Sequence, residues 1–353
     1  MGDGSTRRAR LLAIGRSWGP PLAVGVASRV FSIAIIAVAA GTPGAHVNSE
    51  SGNPFLAWDG WWYVQVAANG YHATPIRPPA EYDVAFFPIW PAIIRVASLG
   101  FLSLEWTAII LGNLLFIGAV VLVHRVLAAR FGPATALRGA ALWAFAPPAY
   151  AASIAYAEPV FAILAAAYFL ESGAIRQAGF SAAAMLTRLT GLALVPAALL
   201  TPGRRWLALV PLLAFAGWWA WLAWMSGDPL MYWKGSPSWY GGDEHGLPAL
   251  VTTLGDLDFF FVIVLAFLIA VTVGSMRVMR TDLPLGLFAL ACVGMTVLTA
   301  IPESMPRHAW SGFPAFAGLA LLAPRWKGAA LLALFVIGQG VLGFASIWRG
   351  LTP

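Results

Sequence analysis

Apolar runs separated by short polar breaks follow one another along the whole chain, at about residues 20–40, 104–123, 139–153, 158–171, 178–200, 206–225, 257–274, 283–300, 311–323 and 328–346. Most approach the roughly 20 residues that a helix needs to cross a bilayer. The pattern predicts an all-α integral membrane protein with about 10 to 11 membrane segments, some short or broken. Pro147-Pro148 and Pro159 stand at the facing ends of two short runs, which predicts a tight hairpin there. The first run follows Arg7, Arg8, Arg10 and Arg16 and is longer than a signal-peptide core, so it is expected to be a retained start-transfer anchor. No internal repeat or low-complexity linker interrupts the chain. Residues 1–353 therefore read as a single domain with two long polar loops, 41–103 and 226–256.

Composition and charge sharpen this picture. Apolar residues make up 60% of the 353 and charged ones only 10%, with a mean hydropathy of +0.78, which excludes a soluble globule. The 17 tryptophans and 36 glycines fit aromatic belts and close helix contacts in a lipid bilayer. A net charge of +6 would suggest nucleic acid in a soluble protein. No basic tract is dense enough for that partner here, and the charge instead orients the chain in the membrane. The single cysteine, Cys292, lies inside an apolar run and reads as a small core residue.

Cytoplasmic loops collect Lys and Arg, which puts the N-terminus inside and the loop 41–103 outside. One crossing by 178–200 would leave Arg204, Arg205, Arg277, Arg280, Arg325 and Lys327 outside. A break near Thr187-Arg188-Leu189-Thr190-Gly191, with the chain returning, puts all six inside. The broken hairpin is the reading adopted. Irregular backbone at that depth is tolerated beside a cavity, so the break is expected to line one.

Long structureless loops tend to be functional, and the first one holds Trp58-Asp59-Gly60-Trp61-Trp62-Tyr63, one carboxylate among aromatic rings, opening a short interfacial helix. Rings that strip water from a carboxylate make it a readier proton acceptor, suited to deprotonating an attacking hydroxyl. The bland alternative is an acid that caps the helix. Glu81 and Asp83, shortly before Phe86-Phe87-Pro88, could orient sugar hydroxyls or be solvated loop acids. Phe86, Phe87 and Trp90 could line a lipid or sugar groove or form an interfacial belt. In the second loop, Tyr232, Trp233, Lys234, Trp239, Tyr240, Asp243, Glu244 and His245 combine rings with acids, as sugar binding requires, and would serve an interfacial belt equally well. His245 with Asp243 and Glu244 is a weak metal pattern without a second histidine. The chain has no Walker loop, no G-x-G-x-x-G and no H-E-x-x-H, which argues against ATP-driven transport, dinucleotide chemistry and zinc proteolysis.

Four blocks in order carry a resemblance. Trp58-Asp59-Gly60-Trp61-Trp62-Tyr63, Ala67, Gly70-Tyr71 and Phe86-Phe87-Pro88-Ile89-Trp90-Pro91 resemble the W-D-x-x-W-Y, A-x-x-G-Y and F-F-P-x-x-P pattern of the PIG-V family of mannosyltransferases and its bacterial members. Tyr156-Ala157-Glu158-Pro159-Val160-Phe161 is similar to that family's Y-T-E-A-L-F turn, and Leu186-Thr187-Arg188-Leu189-Thr190-Gly191 to its L-T-R-P-T-G break. Met305-Pro306-Arg307-His308 with Phe313-Pro314-Ala315-Phe316 is similar to its late R-Y and F-P-x-F block. The likeness runs from about residue 25 to residue 325. Ala157, Leu189 and His308 depart from the family's threonine, proline and tyrosine, which bears on the sugar or acceptor more than on the reaction.

The resemblance implies a multi-span GT-C-type helical bundle and sugar transfer, usually of mannose, from a polyprenyl-phosphate-linked donor to a lipid or protein acceptor. It places the active site on the external face of a bacterial plasma membrane, with no cofactor and no metal expected. By position, Asp59 becomes the general base of an inverting displacement, and Arg188 and Arg307 the partners of the phosphate leaving group. Trp58, Trp61, Tyr63, Glu81, Asp83, Phe87, Tyr156, Glu158 and His308 complete the expected substrate site. The charged ones have plainer alternatives: Arg188 could snorkel or pair with an acid, Arg307 could meet headgroups, His308 could be an interfacial histidine with no role, and Glu158 could serve only the helix dipole. Two other classes of function stay open from the sequence, a secondary transporter or lipid flippase and a non-catalytic subunit of a glycosyltransferase complex.

Overall fold

A computed structural model describes residues 3–74, 82–235, 246, 259–323 and 326–351, without the side chains of 3–17 and 259–261. Every regular element among them is an α- or 3-10 helix. The first, α1 (Asp3–Gly41), turns Ser28, Arg29, Ser32, Ile36 and Ala39 into the bundle and leaves Leu22, Val26, Val30, Ile33 and Val38 exposed. Ile36 apart, the large apolar side chains named are outside and the small and polar ones inside. That inversion suits a helix whose surroundings are lipid, where close backbone approach and buried hydrogen bonds replace hydrophobic burial as the packing force.

The first polar loop is folded. It carries a 3-10 turn (Pro54–Leu56), α2 (Asp59–Asn69), a second 3-10 turn (Asp83–Ala85) and α3 (Ile89–Ala97). Leu56, Trp62, Val66, Trp90 and Ile94 pack this unit onto Ala108 and Ile109 of α4 (Leu104–Phe131). Gly132, at φ +77°, ends α4 and leads straight into Pro133, the first residue of α5 (Pro133–Ala144).

The proline-flanked hairpin takes the predicted place. A 3-10 segment (Pro147–Ser153) meets α6 (Glu158–Leu170) at a bend of 106°. The predicted break in 178–200 is also present. Helix α7 (Ala174–Met185) stops, Arg188 is extended at φ −159° and ψ 148°, and a 3-10 turn (Leu189–Ala193) leads into α8 (Leu194–Leu199). Gly191 lies so close to α7 that a Cβ on it would stand 2.3 Å from Met185 Cα. Beyond α8, Arg204 Nη1 donates to Gln177 Oε1 at 2.5 Å and Nη2 to the Ser172 carbonyl. The chain therefore returns to the end of the bundle from which α7 left, as the hairpin reading requires.

The remaining elements are α9 (Leu209–Ser226), α10 (Met231–Gly235), α11 (Phe259–Met279), α12 (Leu283–Thr299), the one-turn α13 (Met305–Trp310), α14 (Ala315–Leu322) and α15 (Trp326–Arg349). Helices α11 and α14 touch backbone to backbone, since a Cβ on Gly318 would fall 2.0 Å from the Gly274 carbonyl oxygen. Arg130, at the end of α4, pairs with Asp282 between α11 and α12 at 2.7 Å, so those two ends also lie together.

Among the described residues, five helices are long and apolar enough to cross a membrane, Trp18–Gly41, Leu104–Phe131, Arg205–Ser226, Val262–Met279 and Trp326–Arg349, and the bent pair at residues 147–170 makes up to six. The other predicted segments exist as shorter helices. Prolines, glycines and the irregular backbone around a central cavity divide them. The chain is an integral membrane protein built as a multi-span bundle.

Candidate active site

Asp59 owes its position to a tightly braced local fold. Trp58, just before it, has φ 55°, a strained value for a residue with a side chain, costing about 1–3 kcal/mol. Two backbone bonds hold this corner: Trp58 N–H donates to the Asn48 carbonyl at 2.9 Å and Asp59 N–H to the Tyr156 hydroxyl at 3.2 Å. Gly60 completes it, because a Cβ there would come within 2.2 Å of the Ile154 carbonyl oxygen. The 153–158 hairpin is thus the pedestal on which α2 begins. Trp90 braces the same hairpin from the other side, its indole N–H donating to the Ala155 carbonyl at 2.7 Å. Asp59 is in the first turn of α2 and does not cap it, since Trp58 is the capping residue and no side-chain cap bond forms.

Four charged side chains from distant parts of the chain converge here. Arg307 Nη1 lies 2.6 Å from Asp59 Oδ2 and 3.5 Å from Glu158 Oε1, and Arg188 Nη1 lies 2.5 Å from Glu158 Oε1. The Arg188–Glu158 contact is an ion pair without the alignment of a hydrogen bond, and among the described residues neither Glu158 oxygen accepts one. The Arg307 guanidinium also rests over the Tyr156 ring, 4.6 Å from its centroid. Two cations and two anions make the cluster formally neutral.

His308 stands between the two guanidiniums, Nδ1 3.4 Å from Arg188 Nη2 and Nε2 3.4 Å from Arg307 Nη2. Burial, together with Arg307 and Arg188 beside it, pushes its pKa well below the ordinary histidine value. A neutral imidazole has one bare nitrogen, so at most one of these contacts can be a hydrogen bond. The other sets N–H against N–H, and an acceptor oxygen entering between them would resolve that opposition.

Asp59, Arg188, Arg307 and His308 line a cavity of about 340 Å³. Trp61, Trp62, Phe86, Phe87, Leu189 and Tyr232 give it one aromatic and apolar wall, with Trp62 and Phe86 stacked 5.8 Å apart. Its polar lining includes Asn48, Ser49, Glu50, Thr296, Thr299 and Ser304. A cavity part apolar and part hydroxyl-lined, with cations and a carboxylate between, can hold an amphiphile with a charged junction.

Most residues singled out from the sequence meet here. Trp58, Asp59, Trp61, Tyr63, Phe87, Arg188, Arg307 and His308 line the cavity, while Tyr156 and Glu158 are buried directly behind Asp59 and the two arginines. Asp83 is elsewhere. It is fully buried and clamps the chain at His72, accepting from the backbone N–H at 3.0 Å and meeting Nδ1 at 2.8 Å. Burial pushes its carboxyl up, against the lowering pull of His72. Tyr232 of the second loop reaches the cavity, and Trp233 is exposed. Glu81, Trp239, Tyr240, Asp243, Glu244 and His245 lie outside the described residues.

Sequence reasoning missed the polar side of the cavity. Thr296 and Thr299 fall at the end of an apolar run with i, i+3 spacing, a faint mark of one polar helix face. Asn48, Ser49 and Glu50 have no such signal. Among the described residues no three His, Cys, Asp or Glu side chains stand close enough to hold a metal ion.

No family model matches the chain. It is 30% identical over 122 residues to GPI mannosyltransferase 2 of Cryptococcus neoformans, a match covering 31% of this chain and 27% of that one. Two solved structures from Archaeoglobus fulgidus share the fold. One is an oligosaccharyltransferase tethered to an acceptor peptide, with a TM-score of 0.50 and 13% identity over 94% of this chain and 56% of that one. The other is the oligosaccharyltransferase AglB with an inhibitory peptide and a dolichol-phosphate, with a TM-score of 0.50 and 13% identity over 92% and 55%. The chain thus spans about a quarter of the curated relative and just over half of each solved chain. The architecture is the multi-span helical bundle predicted from the sequence, and these two solved structures share its fold.

Proposed function

We propose that this protein is a membrane glycosyltransferase of the GT-C type. It moves a sugar, mannose by its resemblance to the mannosyltransferases, from a polyprenyl-phosphate donor to a hydroxyl of a lipid-linked or protein acceptor on the non-cytoplasmic face. The observation that carries this reading is the Asp59 carboxylate on the cavity wall, 2.6 Å from a guanidinium that lines the same cavity. Such a pairing puts a proton acceptor and an anion-binding group at one point. The likeness to GPI mannosyltransferase 2 supports the choice of sugar, and the dolichol-phosphate in the AglB complex supports a phosphate-linked lipid donor.

The chemistry follows from the charges. The acceptor oxygen attacks the anomeric carbon, the carbon–oxygen bond to phosphate breaks on the opposite side, and the electron pair leaves with the phosphate monoester. The hydroxyl proton passes to Asp59. Arg188 and Arg307 meet the charge that grows on the leaving oxygen, and His308 offers it an N–H. Arg307 cannot give its full fork to both partners, so an arriving phosphate draws it from Asp59 and frees the carboxylate to take the proton. Substrate arrival thereby arms the base. The aromatic wall from Trp61 to Tyr232 takes the first isoprene units, and the polar side at Asn48, Ser49 and Glu50 faces the acceptor.

The test is transfer of radiolabelled mannose from synthetic polyprenyl-phosphomannose to membrane lipid and protein fractions by purified wild type and by Asp59→Asn. Label transferred by the wild type and lost in the variant is the expected result. Full transfer by a folded Asp59→Asn protein would remove the base assignment.

A further inference from the structure

Arg29 has no role in the reaction just described, yet it is 2% exposed in the middle of a membrane-spanning helix and has no carboxylate partner among the described residues. An uncompensated charge at such a place is costly and usually functional. Its guanidinium reaches in two directions. On one side Nη1 donates to Ser153 Oγ at 2.8 Å, and Nη2 donates to the Ala149 carbonyl and to Ser28 Oγ, each at 2.9 Å. Ser153 passes the tie on to Asn113 Oδ1 at 2.7 Å. This is the 3-10 segment that continues into Ile154, Ala155, Tyr156 and Glu158, the pedestal of Asp59. On the other side the guanidinium carbon lies over the Phe116 ring, 3.7 Å from its centroid. Phe116 stacks on Trp143 at 5.1 Å and stands 5.8 Å from Trp310. Trp143 and Trp310 exchange indole N–H to carbonyl bonds of 3.2 and 2.8 Å. Trp310 ends the one-turn helix that holds Arg307 and His308.

From this geometry we infer that Arg29 is a positioning residue, the common anchor that sets the spacing between the carboxylate side of the site (Asp59, Tyr156, Glu158) and its cationic side (Arg307, His308). One planar group satisfies three oxygens at its edge and covers a ring with its face. Lysine, a point charge on a flexible stem, cannot do both. The inference rests on the proposed reaction for its consequence in activity, while the anchoring itself is readable without any substrate.

The experiment compares wild type with Arg29→Met, Arg29→Lys and the milder Ser153→Ala, each purified in detergent. Amide hydrogen exchange is followed by mass spectrometry and transfer kinetics run in parallel. In Arg29→Met, exchange is expected to rise about tenfold in residues 153–160 and 305–310 and to stay unchanged in α11, α12 and α15. Transfer kcat is expected to fall about tenfold or more with donor KM nearly constant, because sub-ångström misplacement acts on the transition state. Arg29→Lys should recover only part of both effects, and Ser153→Ala should loosen 153–160 while leaving 305–310 as in wild type. Unchanged exchange in the two segments, or a rise spread evenly over the bundle, overturns the inference whatever the activity. Equal kcat per folded molecule in Arg29→Met overturns it as well. Absence of transfer by the wild type would instead sink the proposed reaction and leave the exchange result standing.

Discussion

Two arginine–carboxylate pairs sit side by side in the cavity cluster with nearly the same separation and different surroundings. In Arg188–Glu158, at 2.5 Å, the side chains are 7% and 2% exposed; in Arg307–Asp59, at 2.6 Å, they are 7% and 26% exposed. The first pair is closed on its carboxylate side, and removal of either partner leaves a buried charge. The second is open on its carboxylate side, where a substrate hydroxyl can arrive. In the proposed reaction a similar ion-pair distance supports two different duties, and exposure of the carboxylate separates the reacting acid from the supporting one.

The comparison breaks most sharply on activity. Asp59→Asn should lower mannosyl transfer by about 10²–10⁴-fold while thermal unfolding in detergent moves little; equal loss of folding in this variant would erase the distinction between the pairs. Glu158→Gln should do the reverse in its first effect. It leaves Arg188 buried without its counter-ion and should destabilise by about 3–5 kcal/mol, read as a lower melting temperature before any assay of turnover. A Glu158→Gln protein as stable as wild type would show that Asp59 alone balances the two arginines.

Gly60 tests the pedestal beneath the open pair. Alanine there must push α2 off the Ile154 carbonyl, at a cost of about 1–3 kcal/mol, and should move Asp59 enough to depress kcat as well. A smaller effect belongs to His308. Its folded pKa lies well below the ordinary value, so below about pH 6.5 the unfolded chain binds a proton that the folded one refuses. The stability it protects is complete above that pH and is lost as the pH falls, at up to about 1.4 kcal/mol per pH unit. His308→Gln should flatten this acid limb of the stability curve, and a curve unchanged by the substitution would refute the neutral-histidine assignment. The weakest effect is expected far from the cavity. Arg130 is 44% exposed in its pair with Asp282, and Arg130→Ala should cost under about 1 kcal/mol, which a melting curve in moderate salt would check.

Much of this was readable along the chain. The apolar runs mark the bundle segments in their observed order, the facing prolines mark the 106° bend, and the L-T-R-L-T-G stretch marks the break in 178–200. Asp59, Arg188 and Arg307 stood out because charged groups beside apolar runs are rare and expensive. Asp83 looked the same and is different, because its neighbour in space, His72, lies across a loop whose closure no local pattern records. The setting of Asp59 also changed on folding: the rings of its own motif suggested a carboxylate governed by desolvation, and its nearest partner is a guanidinium 248 positions away.

What the sequence by itself determined is the class of protein, the order of its apolar segments, and the few charged residues that meet at the cavity. Those properties come from transfer free energies and local backbone rules, which act residue by residue. Only the tertiary structure decided which arginine faces which acid, which carboxylate opens to the cavity, and what holds the buried arginine of α1. Pairing across 30, 124 or 248 positions depends on how helices cross and where breaks bring the chain back. In a membrane those crossings are set by small residues and buried polar bonds scattered along the whole chain, so no local stretch records them.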